Sequence, residues 1–135
     1  MGRVTGIGGV FVKVKDPAST RSWYEKHLGL TTDDYGTNFE WRHAADPDQK
    51  GFTLWSPFNE NSEYFDDNLM INFRVEDMDG LLEQLKADGI EIVSEIQNEE
   101  YGRFVHIIDG DGRKVELWEP VDDKYDAMIG DARTS

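Results

Sequence analysis

Apolar positions alternate with other residues along Val10-Phe-Val-Lys-Val14, the period of a half-buried strand. Asp16-Pro17 follows as a helix start, an aspartate to cap free amides and a proline whose fixed φ suits the first turn. The pattern predicts a helix to about Leu28, stopped by Gly29. The same order recurs downstream. Met70-Ile-Asn-Phe-Arg-Val75 alternates as a strand, Asp77 caps, and Leu81, Leu82 and Leu85 form the buried stripe of a helix ending at Gly89. Strands are then expected over 90–96, 103–108 and 113–119, with Asp109-Gly-Asp-Gly112 as a tight turn between the last two. Asp46-Pro-Asp-Gln-Lys-Gly51 takes that part in the first half.

The two halves read as copies. Residues 43–57 laid over 106–120 bring His43, Asp46, Asp48, Leu54, Trp55 and Pro57 onto His106, Asp109, Asp111, Leu117, Trp118 and Pro120 without a gap. Each copy is a strand, a helix and three further strands, so the expected fold class is α+β, built from two tandem βαβββ modules. Module one covers about 7–56, a linker about 57–67, module two about 68–120 and an acidic tail 121–135, all within one domain spanning 1–135. The linker carries four acids and no base over 56–67 and reads as a solvated loop, with a lid over a pocket as the alternative. In the tail Ala127, Met128 and Ile129 are the only apolar run, which suggests a frayed end or an arm packed on a partner.

Composition narrows the function. With 14 Lys and Arg against 28 Asp and Glu the formal charge is −14, which repels phosphate and argues against nucleic acid as a partner. No apolar run is long enough for a membrane span, and the N-terminus lacks the apolar stretch of a signal peptide, so a cytoplasmic protein is expected. The absence of cysteine removes disulfides, zinc fingers and thiol nucleophiles. No Gly-x-Ser-x-Gly elbow occurs, and Gly6-Ile-Gly-Gly9 precedes a strand rather than a helix, so it is not a phosphate loop.

The duplicated unit, with Asp16-Pro17 before Trp23-Tyr24 and Leu28-Gly-Leu30, then Tyr101-Gly-Arg103 and Asp109-Gly-Asp-Gly-Arg-Lys-Val-Glu-Leu-Trp118, resembles the vicinal oxygen chelate superfamily. This is the glyoxalase, bleomycin-resistance protein and extradiol dioxygenase group. The resemblance covers residues 7–120 and implies a curved mixed sheet forming a cup, with each helix on the convex side and a homodimer as the common assembly. It says less about reaction, because that scaffold hosts isomerases, dioxygenases, thiol transferases and metal-free drug binders.

Within such a cup, strand alternation assigns the inward side chains. Ile71, Phe73 and Val75 belong under the helix, leaving Met70, Asn72 and Arg74 facing inward. By the same alternation Gly9, Phe11 and Lys13 face the cup, as do Thr53 and Trp55, Phe104 and His106, and Glu116 and Trp118. Trp41 and His43 are assigned inward less cleanly, since Glu40 and Arg42 make poor core residues. Trp41, Trp55, Trp118, Phe11 and Phe104 would offer flat walls to a planar ligand, or else fill a closed core. Asn72 and Arg74 would grip a ligand oxygen or pair with Glu116. Glu116 is the candidate acid or base, with an ion pair to Arg74 or Lys13 as the plainer role. His43 and His106 would move protons or serve structurally, and His27 is expected at the surface.

The resemblance implies four metal-ligand positions, which fall here on Gly9, Thr53, Met70 and Glu116. Only Glu116 is a ligand type, and one carboxylate beside a thioether is no site for a hard or borderline cation. The expected function is therefore small-molecule binding in an aromatic-lined cup without a cofactor. Metal-free members of the group sequester planar or cationic compounds, and the acidic surface here would draw in a cation or serve solubility alone. The alternative is a metal-dependent lyase, isomerase or dioxygenase with altered ligands, in which a divalent ion would polarise a substrate oxygen.

Overall fold

A computed structural model describes residues 2–135. Seven strands and three helices follow the order β1 (Arg3–Val14), α1 (Pro17–Leu28), β2 (Thr37–His43), β3 (Asp46–Asn59), β4 (Leu69–Glu76), α2 (Met78–Ala87), β5 (Gln97–Glu99), β6 (Gly102–Ile108), β7 (Lys114–Pro120) and α3 (Asp122–Ile129). The strands form one mixed sheet in the order β2-β3-β1-β4-β7-β6-β5, and the fold is α+β as expected. β1 and β4 pair antiparallel along the middle. On either side a parallel strand follows, β3 beside β1 and β7 beside β4, and then the antiparallel partner that completes a hairpin.

Local chemistry explains the helix boundaries. The Asp16 carboxylate accepts from the amides of Ala18 and Ser19 with Pro17 at the first turn, and Gly29 closes α1 at φ 75°. Asp77 accepts from the Gly80 amide at the start of α2, and Gly89 beyond its end has φ 76°. Met78 and Leu82 of α2 are buried with Val75, Val105, Val115 and Leu117, so the apolar stripe lies on the sheet face opposite the cup. α1 buries none of its residues fully, and His27 on it is exposed. No helix among the described residues is long and apolar enough to cross a membrane.

Several elements differ from the sequence pattern. Residues 30–36 form no strand, so the first half has a strand fewer than the second. The strand expected over 90–96 is reduced to a bridge between Ile92 and Ile107. There Ser94 Oγ accepts from the His106 amide, a side chain replacing a ladder carbonyl. The first hairpin turns at residues 44–45, because β3 already begins at Asp46, whereas Asp109–Gly112 forms the expected turn in the second. Residues 57–59 belong to β3 instead of a linker, and the following loop buries Phe65. The tail is neither frayed nor free: it forms α3 and then bonds to β2.

Candidate functional site

Three strands put their inward side chains into rows. β4 and β7 pair Asn72 with Glu116 and Arg74 with Trp118, while β6 pairs His106 with Glu116 and Phe104 with Trp118. One row therefore carries Asn72, Glu116 and His106, and the next carries Arg74, Trp118 and Phe104. Alternation sends Phe73, Leu117 and Val105 to the opposite face, against α2.

Glu116 is 2% exposed and holds the middle of its row. Its Oε1 accepts from Asn72 Nδ2 at 2.6 Å, and its Oε2 accepts from the Tyr64 hydroxyl and lies 2.8 Å from His106 Nε2. Burial, then the Glu116 charge, raises the Tyr64 phenol above its ordinary pKa, so it remains a donor. The ion pairs considered for Glu116 do not form. Lys13 reaches the Asp66 carbonyl over the Phe65 ring, and Arg74 donates from Nη2 to Asp122 Oδ2 at 2.6 Å.

Above this row opens a cavity of about 600 Å³. Phe104 and Trp118 stack in its wall with centroids 5.7 Å apart and planes at 6°. Trp118 is held in place by its Nε1 hydrogen bond to the Tyr101 carbonyl at 3.0 Å. Phe11, Phe58, Tyr64 and Tyr101 add further aromatic surface, and Tyr125 and Ile129 of α3 cover the far side. Asp33 and Glu99 join Glu116 among the lining residues, while no Lys, Arg or His of the described residues lines it.

Phe11, Asn72, Phe104, Glu116 and Trp118 thus meet in the cavity wall, and His106 stands behind Glu116. Other expected residues do not. On β3 the inward set is Phe52, Leu54, Ser56 and Phe58, so Trp55 points the other way and packs on Tyr24 of α1 with centroids 4.4 Å apart. Trp41 lies against Gly6 and Gly51 and donates from Nε1 to Thr53 Oγ1 at 2.9 Å. Arg74 is 1% exposed, sandwiched between Trp41 and Trp118 at 5.0 and 5.4 Å from the ring centres, and lines no cavity. His43 packs on Trp41 with its Nε2 buried and unpartnered.

The slip on β3 also moves a family position. β4–β7 pairing sets Glu116 beside Asn72, two residues past Met70, and β1–β3 pairing sets Ser56 beside Phe11, two residues past Gly9, so the spatial counterpart of Glu116 is Ser56 and not Thr53. Gly9 and Met70 supply no hard donor, the Ser56 hydroxyl donates to the Tyr35 carbonyl, and Met70 is buried with Phe11 and Phe65. Among the described residues no three His, Asp or Glu side chains gather as a metal group. The side chains present do not fit the four-ligand centre that the family scaffold implies.

Tyr64, Tyr101 and Tyr125 are site residues that strand alternation missed, since all three lie outside the strands. Their signal was an aromatic set among acids in a polar segment. The Tyr125 hydroxyl donates to Asn38 Oδ1 at 2.6 Å, and the tail continues as a strand-like arm, with the Asn38 amide donating to the Ala132 carbonyl and the Thr134 amide to the Asn38 carbonyl. Arg133 locks the arm through Asp126 at 2.5 Å and Glu40 at 2.9 Å.

Hydrogen bonding to Arg133, then to Lys50, holds the Asp126 carboxyl below the usual carboxylate range. Its contribution is present above the unfolded-state value of about 4 and is lost as pH falls through the depressed folded value. Acidification below about pH 4 is accordingly expected to release the arm early. Hydrogen exchange should show the Asn38 and Thr134 amides losing protection before those of β4 and β7; simultaneous loss would contradict it.

Comparison with known proteins agrees with this architecture. The model of the Glyoxalase/Bleomycin resistance protein/Dioxygenase superfamily matches residues 6–117, and the chain belongs to that superfamily. Among solved structures, a single-residue variant of Streptomyces coelicolor methylmalonyl-CoA epimerase in complex with 2-nitronate-propionyl-CoA superposes with a TM-score of 0.66 at 15% identity, over 88% of this chain and 99% of that one. The Mycobacterium tuberculosis methylmalonyl-CoA epimerase gives 0.57 at 22% identity, over 87% and 89%. A glyoxalase/bleomycin resistance protein/dioxygenase superfamily member from Vibrio splendidus 12B01 gives 0.52 at 14%, over 88% and 99%. At such identities the likeness is one of fold. No curated protein sequence matches the chain.

Proposed function

We propose that this superfamily member binds a small organic molecule in the aromatic cup without the metal centre of its chelating relatives. The observation that carries the reading is the state of Glu116. It is the one carboxylate at the implied ligand positions, and a phenol, an amide and an imidazole already occupy its oxygens. A cation of the hard or borderline kind needs several N or O donors in a fixed polyhedron, and the neighbouring positions offer glycine, methionine and a serine hydroxyl bonded to a backbone carbonyl. The cavity supports the binding half of the reading, being roomy enough for a small ligand and walled mainly by rings.

Two measurements test it together. Elemental analysis of protein purified without chelator or affinity nickel is expected to show no near-stoichiometric transition metal. Titration with planar aromatic compounds is expected to quench the Trp118 emission, compared against a Trp118→Phe variant to remove the contribution of the other indoles. A near-stoichiometric ion would overturn the metal-free reading in favour of a lyase, isomerase or dioxygenase using His106 and Glu116, which already stand 2.8 Å apart. Absence of any saturable quenching would remove the binding function.

A further inference from the structure

Hydrogen-bond donors are scarce in the cup. Six side chains of its wall already donate within the protein: Tyr64 and Asn72 to Glu116, Trp118 to the Tyr101 carbonyl, Ser56 to the Tyr35 carbonyl, Tyr125 to Asn38, and Asn38 to the Ala132 carbonyl. The Tyr101 hydroxyl is an exception: it belongs to a half-buried residue of the same wall and has no hydrogen-bond partner among the described residues. Tyr35 and Gln97 also carry free donors, but both are exposed, so water satisfies them. The Tyr101 backbone is fixed by its carbonyl, which accepts from Trp118 Nε1 and from the Val121 amide at 3.0 and 3.1 Å. Its ring stands at 67° to Phe104, with centroids 5.6 Å apart, and lies 6.2 Å from Tyr125. Burial, then the charges of Glu99 and Glu116, raise the phenol above its ordinary pKa, so the hydroxyl keeps its proton at neutral pH.

Charge narrows what this donor can meet. An anion faces Asp33, Glu99 and Glu116 with no basic side chain of the described residues in the wall, and is repelled. A cation finds no open carboxylate to pair with inside. Glu116 is 2% exposed with both oxygens engaged by Tyr64, Asn72 and His106, Asp33 accepts from the Tyr35 and Gly36 amides, and Glu99 is exposed to water that screens it. A neutral oxygen acceptor matches the free phenol. In an aromatic pocket such a bond discriminates, because the ligand oxygen is left unmatched wherever the donor is missing.

We infer that Tyr101 selects the ligand by donating its hydroxyl hydrogen to the carbonyl oxygen of a neutral flat compound, an aryl ketone or lactone, whose ring body lies along Phe104. The inference rests on the small-molecule reading and adds to it the ligand class and the residue that reads it. Ring contact attracts the body whatever substituent it carries, whereas the phenol fixes its direction.

Four naphthalene probes of similar size test this by equilibrium dialysis against the full chain at neutral pH: 2-acetylnaphthalene, 2-ethylnaphthalene, 2-naphthoate and 2-naphthylmethylammonium. Of the three polar probes, 2-acetylnaphthalene is expected to bind tightest. Tyr101→Phe keeps the ring and should weaken 2-acetylnaphthalene about tenfold, as expected for a ligand acceptor left unmatched in the pocket, while changing 2-ethylnaphthalene by less than about twofold. Tyr35→Phe should leave both within about twofold, and circular dichroism with thermal unfolding confirms that each variant folds. An equal effect of Tyr101→Phe on ketone and hydrocarbon, or a ketone-specific loss in Tyr35→Phe instead, overturns the role of Tyr101 while leaving the cup a binding site. Tighter binding of the ammonium or the carboxylate overturns the neutral class. Failure of all four probes to bind overturns the inference and the small-molecule reading together.

Discussion

Tyr125→Ala is expected to lower the free energy of unfolding by about 3–5 kcal/mol, the range for deleting a buried aromatic ring. The tyrosine is 6% exposed and its ring meets Trp118, Phe52 and Tyr101 at centroid distances of 4.9, 5.5 and 6.2 Å. Truncation removes those contacts, strips the partner from Asn38 Oδ1 and opens one wall of the cavity to water. Tyr125→Phe keeps the ring and should cost only the hydrogen bond, about 1–3 kcal/mol with the acceptor left buried. Denaturant unfolding separates the two. A loss below about 1 kcal/mol for Tyr125→Ala would mean that α3 does not cover the cup, since a solvated residue contributes little. If α3 does cover it, the alanine variant should also bind any cup ligand more weakly, because the wall and not merely the stability has gone.

That α3 should matter was hard to see in the sequence. Its one buried side chain sits among Asp122, Asp123, Lys124 and Asp126, and the stripe of Val121, Tyr125, Met128 and Ile129 spans only two turns of an acidic segment. Two acids in the first turn suit a helix N-terminus, but that signal is weak without a capping side chain, and Val121 supplies none. By contrast, β4, β6 and β7 were legible because one face of each is cleanly apolar between turn residues, which fixes what the other face presents. Glu116, Trp118, Asn72, Phe104 and Met70 all followed from that. β3 defeats the same reasoning. Phe52, Leu54 and Phe58 face the cup while Trp55 faces α1, so both faces are apolar and alternation carries no direction. The sequence match of residues 43–57 to 106–120 then misled, because His106 pairs with Glu116 whereas His43 pairs with Asp46. Identity along two hairpins did not survive a difference in where each one turns.

Arg74 gives the second large effect, and it is asymmetric. The guanidinium is 1% exposed and makes a single hydrogen bond, to Asp122, while its Nε and Nη1 have no partner. Removing the aspartate leaves a buried cation facing two indoles and nothing ionised, so Asp122→Ala is expected to cost about 3–5 kcal/mol. Arg74→Met should cost much less, about 1 kcal/mol, because the carboxylate it strands keeps 15% of its side-chain surface in water. The methionine also fills the space between Trp41 and Trp118 with a side chain that needs no partner. The double variant should then lie near Arg74→Met alone, which a double-mutant cycle by urea unfolding would show as a coupling of about 3–5 kcal/mol. Equal costs for the two single variants would mean that the guanidinium is not an uncompensated buried charge. Because the arginine is tied to α3 and lies outside the cavity, Arg74→Met should leave ligand affinity in the folded protein within about twofold of the parent chain, a loss of less than about 0.5 kcal/mol. A loss tenfold or greater would put it back among the groups that grip the ligand, where strand alternation alone had placed it.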